Sequence, residues 1–143
     1  MTLVSTSSCD IKIWDLRSEA CHTLQGHEEP IYALASDAYS LYSADTESIR
    51  LWDLRSREGR RTIREEAVLA LDYSLTLASA GKELKVWDFQ WRTAQALPHE
   101  GSIYALAWKD AETLCAAGQD PTLSFWTSRS SKVMPESAPI KSV

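Results

Sequence analysis

Four stretches of the chain alternate apolar, polar and apolar residues up to a tryptophan: Ile11-Lys-Ile-Trp-Asp15, Ile49-Arg-Leu-Trp-Asp53, Leu84-Lys-Val-Trp-Asp88 and Leu123-Ser-Phe-Trp-Thr127. A period of two residues is that of a β-strand burying one face, so each stretch predicts a strand. A second element recurs in step: Ile31-Tyr-Ala-Leu-Ala35, Val68-Leu-Ala-Leu-Asp72 and Ile103-Tyr-Ala-Leu-Ala107. A third lies between the two, as Ser40-Leu-Tyr-Ser-Ala44, Thr76-Leu-Ala-Ser-Ala80 and Thr113-Leu-Cys-Ala-Ala117, with Leu3-Val-Ser-Thr6 as an earlier copy. The tryptophans Trp14, Trp52, Trp87 and Trp126 stand 38, 35 and 39 residues apart. That interval approaches the ~40 residues of one four-stranded propeller blade. The second element reads as the inner strand of each blade, the third as the next, and the tryptophan stretch as the one after. Outer strands are expected near Ala20 to Leu24, Arg61 to Arg64 and Thr93 to Leu97.

Gly26-His27 followed by Trp52-Asp53 resembles the Gly-His to Trp-Asp unit of the WD40 family, and the likeness runs from residue 1 to about 127. It implies an all-β propeller segment of about 3.5 blades. In that family a His, a strand Ser, a turn Asp and the Trp form a hydrogen-bonded tetrad. Carried over, His27, Ser43 and Trp52 match in one repeat, but the expected Asp position holds Thr46 and Asp45 falls one residue short. His99, Asp120 and Trp126 match in the last repeat, with Ala116 in the Ser position. Ser79 and Trp87 match in the third repeat, where Arg64 replaces the His, and Trp14 alone marks the first. On this reading no repeat carries the whole tetrad, and the blades rely on apolar packing.

Counted in propeller order, two incomplete blades flank two complete ones, and the last lacks its outer strand. Propellers close into rings of about 4 to 8 blades, which hides their strand edges. The segment is therefore expected to be the C-terminal half of a larger propeller or a truncated product, with self-association of two half-propellers as the competing reading. Residues 128–143, with two prolines, five serines and no apolar period, read as a flexible tail.

The 143 residues are 44% apolar, enough for a real core, and carry a formal charge of −5. Such a balance gives no general attraction to nucleic acid or anionic membrane. Three cysteines, Cys9, Cys21 and Cys115, fit neither a disulfide framework nor paired zinc ligands, which points to reduced thiols in cytosol or nucleus. No segment approaches the ~20 apolar residues of a membrane span.

His27, Ser43 and Asp45 are residue types of a nucleophilic triad, but each falls on the tetrad and no Gly-x-Ser-x-Gly turn accompanies them. His22, His27 and His99 lack ligand spacing. No catalytic residue, metal or cofactor is therefore expected, and the function expected is a non-catalytic protein-interaction scaffold. Its contact residues should lie where loops lead into inner strands: Glu28 and Glu29 before Tyr32, and Glu100 before Tyr104, arranged to suit a basic peptide. Trp91, without counterpart in other repeats, is a further anchor candidate, whereas Trp108 is assigned to the core. Trp14-Asp-Leu-Arg17 and Trp52-Asp-Leu-Arg55 are similar to the Trp-Asp-x-Arg box of WD40 substrate receptors of cullin-type ubiquitin ligases, which makes Arg17 and Arg55 adaptor-contact candidates. The basic cluster Arg55, Arg57, Arg60, Arg61 and Arg64 raises a phosphoinositide- or RNA-binding alternative, diluted by Glu58, Glu65 and Glu66.

Overall fold

The alternating stretches form strands in a computed structural model that describes residues 2–88, 94–97, 99–127 and 136–139. Fifteen strands, and no helix among the described residues, build four antiparallel sheets. Blade I has three strands: β1 (Thr2–Ser7), β2 (Asp10–Asp15) and β3 (Ala20–Leu24). Blade II comprises β4 (Ala33–Ser36), β5 (Ser40–Ala44), β6 (Ser48–Asp53) and β7 (Glu58–Arg64). Blade III comprises β8 (Val68–Tyr73), β9 (Leu77–Gly81), β10 (Leu84–Trp87) and β11 (Ala94–Leu97). Blade IV comprises β12 (Ile103–Trp108), β13 (Thr113–Gly118), β14 (Thr122–Thr127) and β15 (Glu136–Pro139). In every sheet the strands pair in sequence order, the meander expected of propeller blades, and the sheets do not close into a ring.

One strand differs from expectation. The strand count predicts blade IV without an outer strand, yet Glu136–Pro139 pairs antiparallel with β14, from Thr122↔Pro139 to Phe125↔Glu136. A Pro-containing stretch without apolar alternation gives no strand signal. It is nonetheless compatible with an edge strand, where one side of the backbone needs no partner. The outer strand of blade II starts earlier than the pattern predicts, at Glu58, and its pairing with β6 passes a bulge between Leu51 and Trp52.

Burial follows from alternation: one face of each blade packs on the next. Ile11, Ile13 and Leu24 of blade I meet Leu41 and Trp52 of blade II. Tyr42, Ala44 and Ile49 of blade II meet Val68, Leu71, Leu77 and Trp87 of blade III. Ala70, Ala78, Ala80, Leu84 and Leu97 of blade III meet Ile103, Leu114, Ala116 and Trp126 of blade IV. Each tryptophan thus plugs the core made with the preceding blade. Trp14 has no described blade before it and stays half-buried, its ring under the Lys12 ammonium. Polar bonds reinforce the seams. The Trp108 amide donates to Asp72 Oδ2 across blades III and IV (2.6 Å), and Trp108 is half-buried against their shared core. Tyr42 stacks on Tyr73 across blades II and III.

Gly81 and Gly118 end β9 and β13 opposite bulged starts of β8 and β12. A Cβ on Gly81 would strike the Ala67 carbonyl oxygen, and one on Gly118 the Ser102 carbonyl oxygen. The close backbone approach at these two positions requires glycine.

Candidate interaction surface

Blade II carries the most complete polar network. Ser43 lies on β5 opposite Arg50, with its side chain toward blade I, where Trp52 also points. Trp52 Nε1–H donates to Ser43 Oγ at 2.8 Å, and Ser43 Oγ is 2.6 Å from His27 Nε2. His27 Nδ1 is 2.5 Å from Asp45 Oδ2. Asp45 therefore completes the tetrad, correcting the expectation that a residue one position short could not serve. The correction has a local cause: Asp45 Oδ1 accepts the amides of Glu47 and Ser48 (2.8 and 2.6 Å). This tight turn folds the carboxylate back toward the imidazole.

The proton count fixes the network's preferred state. If Ser43 accepts from Trp52 and donates its single O–H to His27 Nε2, the ring carries its proton on Nδ1 and donates to Asp45. His27 is then neutral. Burial pushes its pKa below the ordinary value, aided by the charge of Arg50 and opposed by Asp45. Burial acts to raise Asp45, but bonds from His27 and from the Glu47 and Ser48 amides outweigh it and hold the carboxyl below its usual range. Each member is thus committed to the buried structure, and none is disposed as a solvent-facing nucleophile.

Other blades carry fragments of the network. Trp14 donates to Ser5 Oγ and Trp87 to Ser79 Oγ, each at 2.9 Å. In blade IV Ala116 occupies the serine position, and Trp126 Nε1 and His99 Nδ1 are buried without a hydrogen-bond partner among the described residues, beside a cavity of about 40 Å³. His99, Asp120 and Trp126 all line that cavity, so the matching residues converge there without the serine that links them.

The rim candidates separate clearly from this core. Tyr32 and Tyr104 are 55% and 58% exposed, which removes them from the inter-blade packing. Each stands at the start of an inner strand, and Leu69 holds the equivalent place in blade III. The connections leading to these positions carry Glu28 and Glu29, Glu65 and Glu66, and Glu100. Glu65 is taken up by Lys85, which also pairs with Glu83. Glu28, Glu29 and Glu66 line an open cleft of about 670 Å³ together with Glu47, Arg50 and Arg64. Trp91 lies outside the described residues.

Arg17 and Arg55 are both exposed, and each is the second residue of the turn that follows β2 or β6. Asp15 Oδ1 accepts the Arg17 amide at 2.9 Å, and Asp53 Oδ1 accepts the Arg55 and Ser56 amides at 2.7 and 3.0 Å. Those amides, Ser56 before Arg55, lower the Asp53 pKa, and Arg60 adds to the effect. The arginine cluster is partly engaged: Arg60 pairs with Asp53, and Arg57 Nη1 lies 2.5 Å from His22 Nε2 of blade I.

Comparison with known proteins bears on the whole arrangement. The family profile of the WD domain, G-beta repeat, matches residues 18–53, which hold the Gly-His to Trp-Asp unit and its completed tetrad. The solved structure of U3-55K superposes on 94% of this chain with a TM-score of 0.83 at 24% identity, and that of the RRP9 WD40 repeats with 0.82 at 24%. The chain is a partial WD40 propeller.

Among curated WD40-type relatives, an F-box/WD-40 repeat-containing protein of Arabidopsis thaliana is 32% identical over 138 residues, covering 84% of this chain. The ribosome biogenesis protein WDR12 homolog of Nematostella vectensis is 28% identical over 123 residues, covering 76%. This chain spans 26% and 30% of those two relatives, and 44% of each solved chain. Among the described residues no helix is long and apolar enough to cross a membrane.

Proposed function

We propose that this WD40 segment is a non-catalytic protein-interaction scaffold whose inner-strand rim, Tyr32 and Tyr104 with Glu28, Glu29 and Glu100, holds a basic segment of a partner protein. The exposure of both tyrosines carries the reading. A tyrosine committed to the fold would be buried between blades, whereas a rigid, exposed one offers large contact area at little conformational cost. Carboxylates beside it that make no ion pair among the described residues favour lysine and arginine. Binding of a fluorescent polylysine-type peptide tests this. Replacing both tyrosines by alanine, with Glu28→Lys and Glu29→Lys, should weaken binding at least tenfold without altering the melting temperature of the chain. Unchanged binding by that variant refutes the rim.

The propeller to which the rim belongs is, in this proposal, larger than four blades. Two faces support it. The Trp14 face of blade I repeats the one that blade II presents to blade I, and the blade IV face bearing Ala105, Ala107, Cys115, Ala117, Leu123 and Phe125 repeats the one blade III presents to blade IV. Ala105 and Ala107 are exposed. A second reading, ligase-adaptor contact, is favoured by the matching exposed placement of Arg17 and Arg55 on adjacent blades. Arg17→Ala with Arg55→Ala should abolish adaptor pull-down if that reading holds.

A further inference from the structure

Two repeat positions meet across each blade seam, at the end of the inner strands away from Tyr32, and the three seams fill them differently. The first is the residue before the serine that bonds each tryptophan: Val4 in blade I, Tyr42 in blade II and Ala78 in blade III. The second ends the inner strand of the following blade: Ser36, Tyr73 and Trp108, opposite Leu41, Leu77 and Leu114 respectively. Between blades II and III both are aromatic, and Tyr42 stacks on Tyr73 with ring centroids 5.0 Å apart. Between blades III and IV one ring suffices, Trp108 packing on the core that contains Ala78. Between blades I and II the pair is Val4 and Ser36, and neither supplies a ring.

Where the other seams hold rings, this one holds an open cleft of about 380 Å³ lined by Val4, Ser36, Ile13, Ala38 and Leu54. No aromatic side chain lines it among the described residues. Blade II keeps its inner strand β4 and still seats the Tyr42–Tyr73 pair on the next seam, so room for a ring does not come from blade I having three strands. Val4 and Leu54 already pack on the core shared by blades I and II, so an apolar guest would extend that core rather than lie on a flat surface. The charges of the lining balance: Asp15 and Asp37 stand against Arg55 and Arg57, and His22 accepts a hydrogen bond from Arg57. Both carboxylates are fixed by turn amides, Asp15 by that of Arg17 and Asp37 by those of Tyr39 and Ser40. The cleft thus offers neither the net positive charge that a nucleic-acid backbone needs nor the net negative charge that suits a basic segment.

We propose that the cleft between blades I and II receives an uncharged aromatic side chain, Trp or Tyr, of a partner protein, which completes this seam as Tyr73 and Trp108 complete the other two. Such rings bring large contact area with few rotatable bonds, the property of interface anchors. Ser36 lies at the opposite end of β4 from Tyr32, so the site goes beyond the rim and does not rest on it.

The test titrates the chain with the neutral peptide N-acetyl-Gly-Trp-Gly-amide and with its Ala counterpart, followed by backbone amide shifts. The Trp peptide is expected to shift Ser36, Ala38 and Leu54 with saturation in the millimolar range, and the Ala peptide to bind at least tenfold more weakly. Ser36→Trp, which copies the Trp108 arrangement of blade IV, should weaken Trp-peptide binding at least tenfold. Ala38→Tyr, on an exposed turn of the same cleft, should weaken it severalfold and retains the test if Ser36→Trp fails to fold. Tyr32→Ala should leave it unchanged, and Ser36→Trp should leave polylysine binding unchanged, which separates cleft from rim. Absence of saturation, equal affinity for the two peptides, or full affinity in both cleft variants overturns the proposal. So does tighter binding of adenosine monophosphate than of the Trp peptide with the same shifts, which would assign the cleft to a nucleic-acid base.

Discussion

Replacing Ser43 by alanine removes one oxygen that serves two buried partners. Ser43 is fully buried, Trp52 Nε1 donates to it, and His27 Nε2 contacts it on the other side. The variant leaves both nitrogens without a partner in a space closed to solvent. Each orphaned buried group costs about 1–3 kcal/mol, and the methyl that remains fills little of the lost contact. A destabilisation of about 2–4 kcal/mol follows. The reciprocal change is available in the same molecule. Ala116 holds the Ser43 position in blade IV, where Trp126 Nε1 and His99 Nδ1 lack partners and a 40 Å³ cavity leaves room for a hydroxyl. Ala116→Ser should therefore stabilise the chain by about 1 kcal/mol, the net worth of a hydrogen bond made to an otherwise unsatisfied donor. Urea unfolding followed by tryptophan fluorescence reads both changes as shifts of midpoint at constant slope. A Ser43→Ala chain within about 0.5 kcal/mol of the parent, the range of an ordinary surface substitution, would refute the assignment of the serine as the hub of the network.

Acid should weaken the fold in two steps. His27 has a pKa below its unfolded value of 6.5, so the unfolded chain takes up that proton more readily. Its contribution is complete above 6.5 and is lost as pH falls through the folded pKa. Asp45, lowered from 3.8, contributes above that value and is lost at more acid pH. Urea midpoints should thus fall between pH 7.5 and 5.5, and His27→Gln should flatten that interval. Gly81→Ala should destabilise by about 2 kcal/mol or more, because the clash is with backbone that must shift, whereas Gly59→Ala, whose Cβ would lie 3.5 Å from the Trp52 ring, should cost under about 1 kcal/mol in thermal melts. Trp52→Phe should cost clearly more than Trp14→Phe by the same assay, since Trp14 is half-buried whereas Trp52 is buried and bonded to the serine that also contacts His27. Equal losses would mean that the first tryptophan is covered as the second is.

The recurrence of tryptophan strands every 35 to 39 residues determined the fold class, the number of blades and most strand positions from sequence alone. Alternation is a local property: a strand that buries one face must write that fact every second residue. Identity of the rim candidates was legible for the same reason, because equivalent places in repeats can be aligned. What these residues meet is not local. Asp45 was one residue out of place in a linear alignment, and only the turn at Glu47 and Ser48 brings its carboxylate to His27. The strand Glu136–Pro139 left no periodic mark, since its place is set by the open edge of β14 rather than by its own side chains. Tyr32 and Trp52 are both aromatic residues of the repeat, yet one is exposed and the other sealed. That difference comes from which neighbouring blade covers each face, a relation between distant segments that the order of residues alone does not state. Arg50 is the sharpest case: it matches Lys85 by sequence, yet only three-dimensional packing shows that Lys85 pairs with Glu65 and Glu83 whereas Arg50, among the described residues, makes no ion pair.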